Sequence, residues 1–176
     1  MNVEIRVATR KDIEKIALLH AKSWQEIYVE ELSVTYLKHD IYLDRNKVWQ
    51  HRLTFPSANQ RIFIATNNGV ICGFICFYLN NHPQWGTLIE NLHIEKHSKR
   101  LGLGKQLLQT AANLSYRQDP DRGMYLEVLA SNQAAQDFYK KLGASHTKTQ
   151  LWQAPDSSEV TEYVYRWKNI SHLVQA

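Results

Sequence analysis

The sequence is short of the features that would place it in several large classes. It has two cysteines in 176 residues, Cys72 and Cys76, and both lie in one predicted strand. Four residues of strand separate their Cα atoms by ~13 Å, beyond the reach of a disulfide. They read as small buried hydrophobes in a reducing compartment. No apolar run approaches the ~20 residues that span a bilayer. The opening MNVEIRVATRKDIEKI alternates acid and base, unlike a signal peptide. No membrane partner is therefore expected, and the expected location is cytoplasmic. Internal repeats, low-complexity tracts and interdomain linkers are lacking, as are blocks of like charge. The eight histidines show no H-E-x-x-H or related spacing, so no metal site is expected.

What is present fits one globular domain. Hydrophobic residues make up 44% and charged residues 22%, and the length allows a sizeable core. A net charge of +4 and a pI of about 9.0 permit an acidic partner. With no nucleic-acid motif and no basic block, the excess charge reads as solvated surface, and no nucleic-acid partner is expected.

Taken in order, Val3 to Ala8 suits a first strand and Thr9 a helix cap. Ile13, Ile16, Ala17, Leu18 and His20 begin an apolar stripe at helical spacing, and Trp24 and Tyr28 lie one turn apart on that helix. A second helical region runs from about Ser33 to Leu53. RIFIAT (61–66) and VICGFICFYL (70–79) flank Asn67-Asn68-Gly69, a strong hairpin signal because both turn positions need positive φ. After a helix from about Gly102 to Gln118, Met124 to Leu129 reads as a buried strand. Ser131 is the expected cap of the next helix, whose residues Ala134, Ala135, Phe138, Tyr139 and Leu142 are expected to face inward before Gly143 stops it. Ser145 to Trp152 and Val160 to Trp167 read as a final strand pair. Lys168 to Ala176 has no clear element.

The chain is organised around LIENLHIEKHSKRLGLGKQLL, residues 88–108. Leu88, Glu90, Leu92 and Ile94 alternate with Ile89, Asn91 and His93, as in a strand. A basic loop follows, and Leu103, Leu107, Leu108 and Ala111 then fall at helical spacing. A helix N-terminus offers unpaired N–H groups and a positive dipole end. Glycines at 102 and 104 let a phosphate approach them. A P-loop is excluded because Gln106 follows Gly104-Lys105 and Lys99 stands at the first glycine position. A dinucleotide fingerprint is excluded because Leu107 fills its third small position.

The run Lys99-Arg100-Leu101-Gly102-Leu103-Gly104 resembles the R/Q-x-x-G-x-G/A signature of the GCN5-related N-acetyltransferase (GNAT) family, with Lys99 departing from the usual first residue. A second stretch, Asn132 to Gly143, is similar to that family's N-x-x-A-x-x-F-Y-x-x-x-G pattern. Ala144 replaces the frequent Phe that follows. The element order also agrees, over roughly residues 1–168, with 169–176 as a tail.

The resemblance implies an α/β GNAT fold: a mixed sheet of about seven strands flanked by helices, with strands 4 and 5 splayed apart. It implies acetyl transfer from acetyl-CoA, as co-substrate, to a primary amine of a small molecule or peptide by direct attack in a ternary complex. The alternative is a noncatalytic acyl-CoA sensor. The main chain of Leu92, His93 and Ile94 would pair with the pantetheine arm. The loop of Lys99, Arg100, Leu101, Gly102, Leu103, Gly104 and Lys105 would cradle the pyrophosphate. Asn132 would hydrogen-bond the cofactor, and Tyr139 would protonate the leaving thiolate. Glu90 would be the base or a charge that binds the acceptor, with Glu127 in reserve. Trp24 and Tyr28 would wall the acceptor groove. A homodimer is allowed by the family but not specified by the residues.

Overall fold

The computed structural model describes residues 3–174. Positions 1, 2, 175 and 176, at the ends of the expected domain and tail, lie outside the described residues. Seven strands form one mixed sheet in the order β1-β2-β3-β4-β5-β7-β6. The contacts divide the chain into two compact units. One gathers the residues up to Cys76 with Asn91–Leu107, and the other gathers Phe77–Glu90 with the residues from Leu108 on.

In the first unit, β1 (Val3–Val7) pairs antiparallel with β2 (Gln60–Asn67). The turn that starts β3 (Val70–His82) has Asn68 at φ 50° and Gly69 at φ 78°, the two left-handed positions a tight hairpin demands. Helix α1 (Ile13–Ile27) buries Ile13, Ile16, Ala17, His20, Ala21 and Trp24, one stripe at 3.6-residue spacing. Its entry is fixed by Asp12, which accepts from the Thr9 backbone N–H at 2.8 Å and from the Arg6 guanidinium at 2.8 and 2.9 Å.

The second helical region is broken where the sequence suggested one run. A π-helical turn over Tyr36–Asp40 precedes α2 (Ile41–Thr54). Within that turn the Gln25 amide donates to the Leu37 carbonyl at 2.7 Å, occupying an acceptor that regular helix would use internally.

In the second unit, β4 (Gly86–Ile94) starts parallel to β5 (Met124–Leu129), with Thr87, Leu88 and Ile89 opposite Met124, Tyr125 and Leu126. The ladder stops before Glu90 and Glu127, so the two strands part as expected. β5 continues antiparallel to β7 (Glu159–Trp167), and β7 to β6 (Ser145–Gln153). α3 (Leu103–Gln118) meets the start of β4 where Ser115 Oγ donates to Thr87 Oγ1 at 2.8 Å.

α4 (Gln133–Lys141) differs from its expected face. Ala134 is exposed and Gln136 is buried. The Gln136 amide donates to the Leu129 and Ala130 carbonyls at 3.1 and 2.9 Å, and its oxygen accepts from Tyr165 at 3.3 Å. A buried amide with its partners satisfied costs little, so this polar residue anchors the helix where hydrophobicity alone pointed to Ala134. After β7 the chain buries Ile170 and Leu173.

Candidate active site

The glycine loop contains two residues in the left-handed region. Arg100 has φ 67° and Gly102 φ 80°. The left-handed region is costly for arginine, and it turns the main chain just before α3 begins. Three exposed cations, Lys99, Arg100 and Lys105, surround a helix start with no acid in its first turn. Leu101 is exposed, Gly104 half-buried and Leu103 buried. Leu103 therefore anchors the helix by its side chain and has only its main chain left for a ligand.

β4 does not keep the strict alternation expected of it. Thr87 meets Ser115 of α3. A Cβ built on Gly73 would lie 2.6 Å from Ile94 Cδ1 and 3.5 Å from Leu107, also of α3. Thr87 and Ile94 are an odd number of residues apart, yet both look toward α3. The alternation slips once between them, as a β-bulge makes it do. The unbulged face Leu88–Glu90–Leu92–Ile94 is thus corrected: Glu90 is exposed, and Ile94 packs inward.

His93, next along, turns to α1. Its Nδ1 lies 2.7 Å from Ser23 Oγ, and its ring centroid 4.6 Å from that of His20. Burial, then the positive charges of Lys99 and Arg45, pulls its pKa down to about 3. Fully buried His20 is lowered well below the usual range for the same first reason. Its Nδ1 accepts from Trp49 Nε1 at 3.0 Å, which leaves the proton on Nε2, a buried atom with no partner among the described residues. Both imidazoles are neutral at pH 7.

Of the expected acceptor-wall pair, Trp24 is only 5% exposed and lies in the core. Its ring stacks on half-buried Tyr28 at 4.6 Å and carries the Arg45 guanidinium at 4.3 Å.

In the second unit Asn132, and not Ser131, is the N-cap of α4. Its Oδ1 accepts from the Ala135 N–H at 3.1 Å, which leaves its amide N–H groups as the side chain's remaining donors. Tyr139 is 8% exposed and packs edge-on to Trp167 at 6.0 Å. Among the described residues nothing hydrogen-bonds its hydroxyl, and burial raises its pKa.

Glu127 is exposed and accepts from the Gln150 amide at 2.8 Å. Beside it lies a residue the sequence reading passed over, Glu162 on β7. It is 7% exposed, and its buried Oε2 has no hydrogen-bond partner among the described residues. Burial, then the charges of Glu127 and Glu90, raises its pKa to about 7. A signal was there to find. In EVTEYVYRW, Glu162 alternates in phase with Val160 and Val164, placing a carboxylate on the buried face of a strand, where it needs a reason.

Thus His93, Ile94, the glycine loop, Trp24 and Tyr28 belong to one unit, and Glu90, Asn132 and Tyr139 to the other. Among the described residues no group of three or more His, Cys, Asp or Glu could hold a metal, and no helix is long and apolar enough to cross a membrane.

Comparison with known proteins agrees with this architecture. Residues 21–144 match the model of the Acetyltransferase (GNAT) family. A Mycobacterium tuberculosis protein described as a probable N-acetyltransferase is 27% identical over 145 residues, 80% of this chain and 78% of that protein. The fold is similar to that of PaiA N-acetyltransferase from Thermoplasma acidophilum in complex with coenzyme A. The TM-score is 0.70 at 19% identity, covering 92% of this chain and 98% of that one. It is also similar to Arabidopsis thaliana NAA60 in complex with acetyl-CoA, with TM-score 0.69 at 13% identity, covering 94% and 98%.

Proposed function

Since the chain belongs to the GNAT family of acetyltransferases, we propose that it moves an acetyl group from acetyl-CoA to the primary amine of a small molecule or peptide by direct attack. The observation that carries this is the start of α3: two left-handed residues, two glycines, no first-turn acid and three exposed cations directly after a strand. Free N–H groups at a helix start bind phosphate without further help.

In this reading the main chain of Leu103, Gly104 and Lys105 holds the pyrophosphate, and Lys99, Arg100 and Lys105 add screened attraction. The main chain of Leu92, His93 and Ile94 pairs with the amides of the pantetheine arm as an added strand would. An N–H of that segment polarises the thioester carbonyl as negative charge develops on its oxygen. Asn132 offers its amide N–H groups to the cofactor. The Tyr139 hydroxyl, with no hydrogen-bond partner among the described residues, gives its proton to the departing thiolate. Exposed Glu90 draws in the acceptor's ammonium, and the ring of Tyr28, backed by Trp24, packs on the acceptor's carbon skeleton.

Calorimetric titration with acetyl-CoA, then a screen of amines, amino acids and peptide N-termini for thiol release, tests this. Saturable binding with turnover of at least one amine is expected. No binding of any short acyl-CoA would end the reading. Tight binding without turnover across the panel would leave a noncatalytic acyl-CoA sensor.

A further inference from the structure

Glu162, Glu127 and Glu90 come from three strands of one unit, β7, β5 and β4. In the β5–β7 register, Leu129 faces Glu162 and Glu127 faces Val164. Glu127 and Glu162 therefore share one face of the sheet. Glu90 is near enough to add its charge to that of Glu127 at Glu162. The three differ in what surrounds them. Glu90 and Glu127 are exposed, and the Gln150 amide goes to Glu127. Glu162 is more than nine-tenths buried, and its Oε2 has no hydrogen-bond partner among the described residues. Gln150, its register partner on β6, hydrogen-bonds the Glu162 carboxyl, but Oε2 is left over. A buried carboxylate oxygen without a donor is expensive, and the charge around this one selects a cationic donor.

Resting on the acetyltransferase reading above, we propose that Glu162 takes the proton from the acceptor's ammonium, while Glu127 and Glu90 are the exposed carboxylates that bring that cation to it. The N–H bond of R–NH3+ breaks and its proton goes to Glu162 Oε2. The freed lone pair forms the N–C bond to the acetyl carbon. The C–S bond breaks, and the sulfur leaves with the electron pair and takes the proton of the Tyr139 hydroxyl. The nitrogen's second proton, made acidic by N–C bond formation, is lost to solvent, from which Tyr139 is reprotonated. The neutral Glu162 acid then returns its proton to solvent. A carboxyl that titrates to about 7 is well matched to this work at neutral pH, where proton acceptor and donor forms coexist. On β5, β6 and β7 the other charged or titratable groups that share this face are Tyr125, Lys148 and Arg166, and His82 of β3 packs edge-on to Tyr125 with ring centroids 6.0 Å apart. Tyr125 is bonded by Asn81 at 2.7 Å, and Arg166 bonds the Gln84 carbonyl at 2.8 Å.

The test is the pH profile of kcat/KM at saturating acetyl-CoA, with the best amine from the screen, for wild type, Glu162→Gln and Glu127→Gln. The wild type should show an acid limb near neutrality. Glu162→Gln should bind acetyl-CoA normally, lose about 10²–10⁴-fold in rate and lose that limb. Glu127→Gln should move the limb to lower pH, because a repelling charge is gone. This second variant decides the matter if Glu162→Gln does not fold. An unmoved limb in either folded variant overturns the assignment while leaving the acetyltransferase intact. Failure of the wild type to acetylate any amine overturns both.

Discussion

Ser23 on α1 and His93 on β4 share a 2.7 Å hydrogen bond, joining a helix to the strand whose main chain is assigned to the cofactor. His93 is neutral there, and so is His20 against which it packs. The sense of the pH dependence follows. A histidine whose folded pKa lies below the unfolded one binds more protons unfolded, so stability is full above about 6.5 and falls as pH drops through it. For His93 the loss continues to about 3, at up to ~1.4 kcal/mol per pH unit. Glu162, raised from 4.5 to about 7, acts in the opposite sense between those values.

His93→Gln is therefore expected to flatten the decline of urea-unfolding free energy between pH 7.5 and 5. Equal slopes for the variant and wild type would show that His93 titrates as it does in the unfolded chain.

Asp12 predicts a different window. Its hydrogen bond with Arg6, outweighing its burial, holds its pKa at about 2. That stability is present above the ordinary carboxylate value and is lost as pH falls through about 2. The Arg6 side chain is 39% exposed, so screening reduces the ion pair. Asp12→Asn should cost about 1–2 kcal/mol at pH 7, a fall of roughly 2–8 °C in Tm for a chain of this size. A thermal melt within 1 °C or so of wild type would remove Asp12 as an anchor of α1.

Gly104→Asp puts a side chain and a negative charge at the start of α3, where a phosphate would sit. We expect acetyl-CoA binding to weaken at least ~10-fold (about 1.4 kcal/mol), with the fold retained. Lys99→Ala should have a smaller effect, since backbone N–H groups do most of the holding. Equal affinity of Gly104→Asp and wild type by calorimetry would move the pyrophosphate elsewhere.

Tyr139→Phe keeps the ring against Trp167 and removes a hydroxyl that no described residue bonds. Turnover at saturating acetyl-CoA should fall by about 10²–10⁴-fold, with little change in cofactor affinity or Tm. A rate within about twofold of wild type would retire Tyr139 as the acid, leaving it a packing residue.

Local signals carried much of this protein in the sequence alone. Asn68-Gly69 determines its hairpin because few residues adopt consecutive positive φ. The glycine loop and the Asn132–Gly143 helix were legible because motif, spacing and helix-end chemistry all lie within a dozen residues. Tertiary structure decided what depends on distant partners. The slip in β4 is set by which helix Thr87 and Ile94 meet, and the burial of Gln136 by carbonyls at the end of β5. Glu162 is the clearest case. The strand pattern already put it on a buried face, but the depth of that burial, the first cause of its raised pKa, and the added charges of Glu127 and Glu90 come from neighbouring strands. Charge is felt through space, while sequence periodicity reports only along the chain.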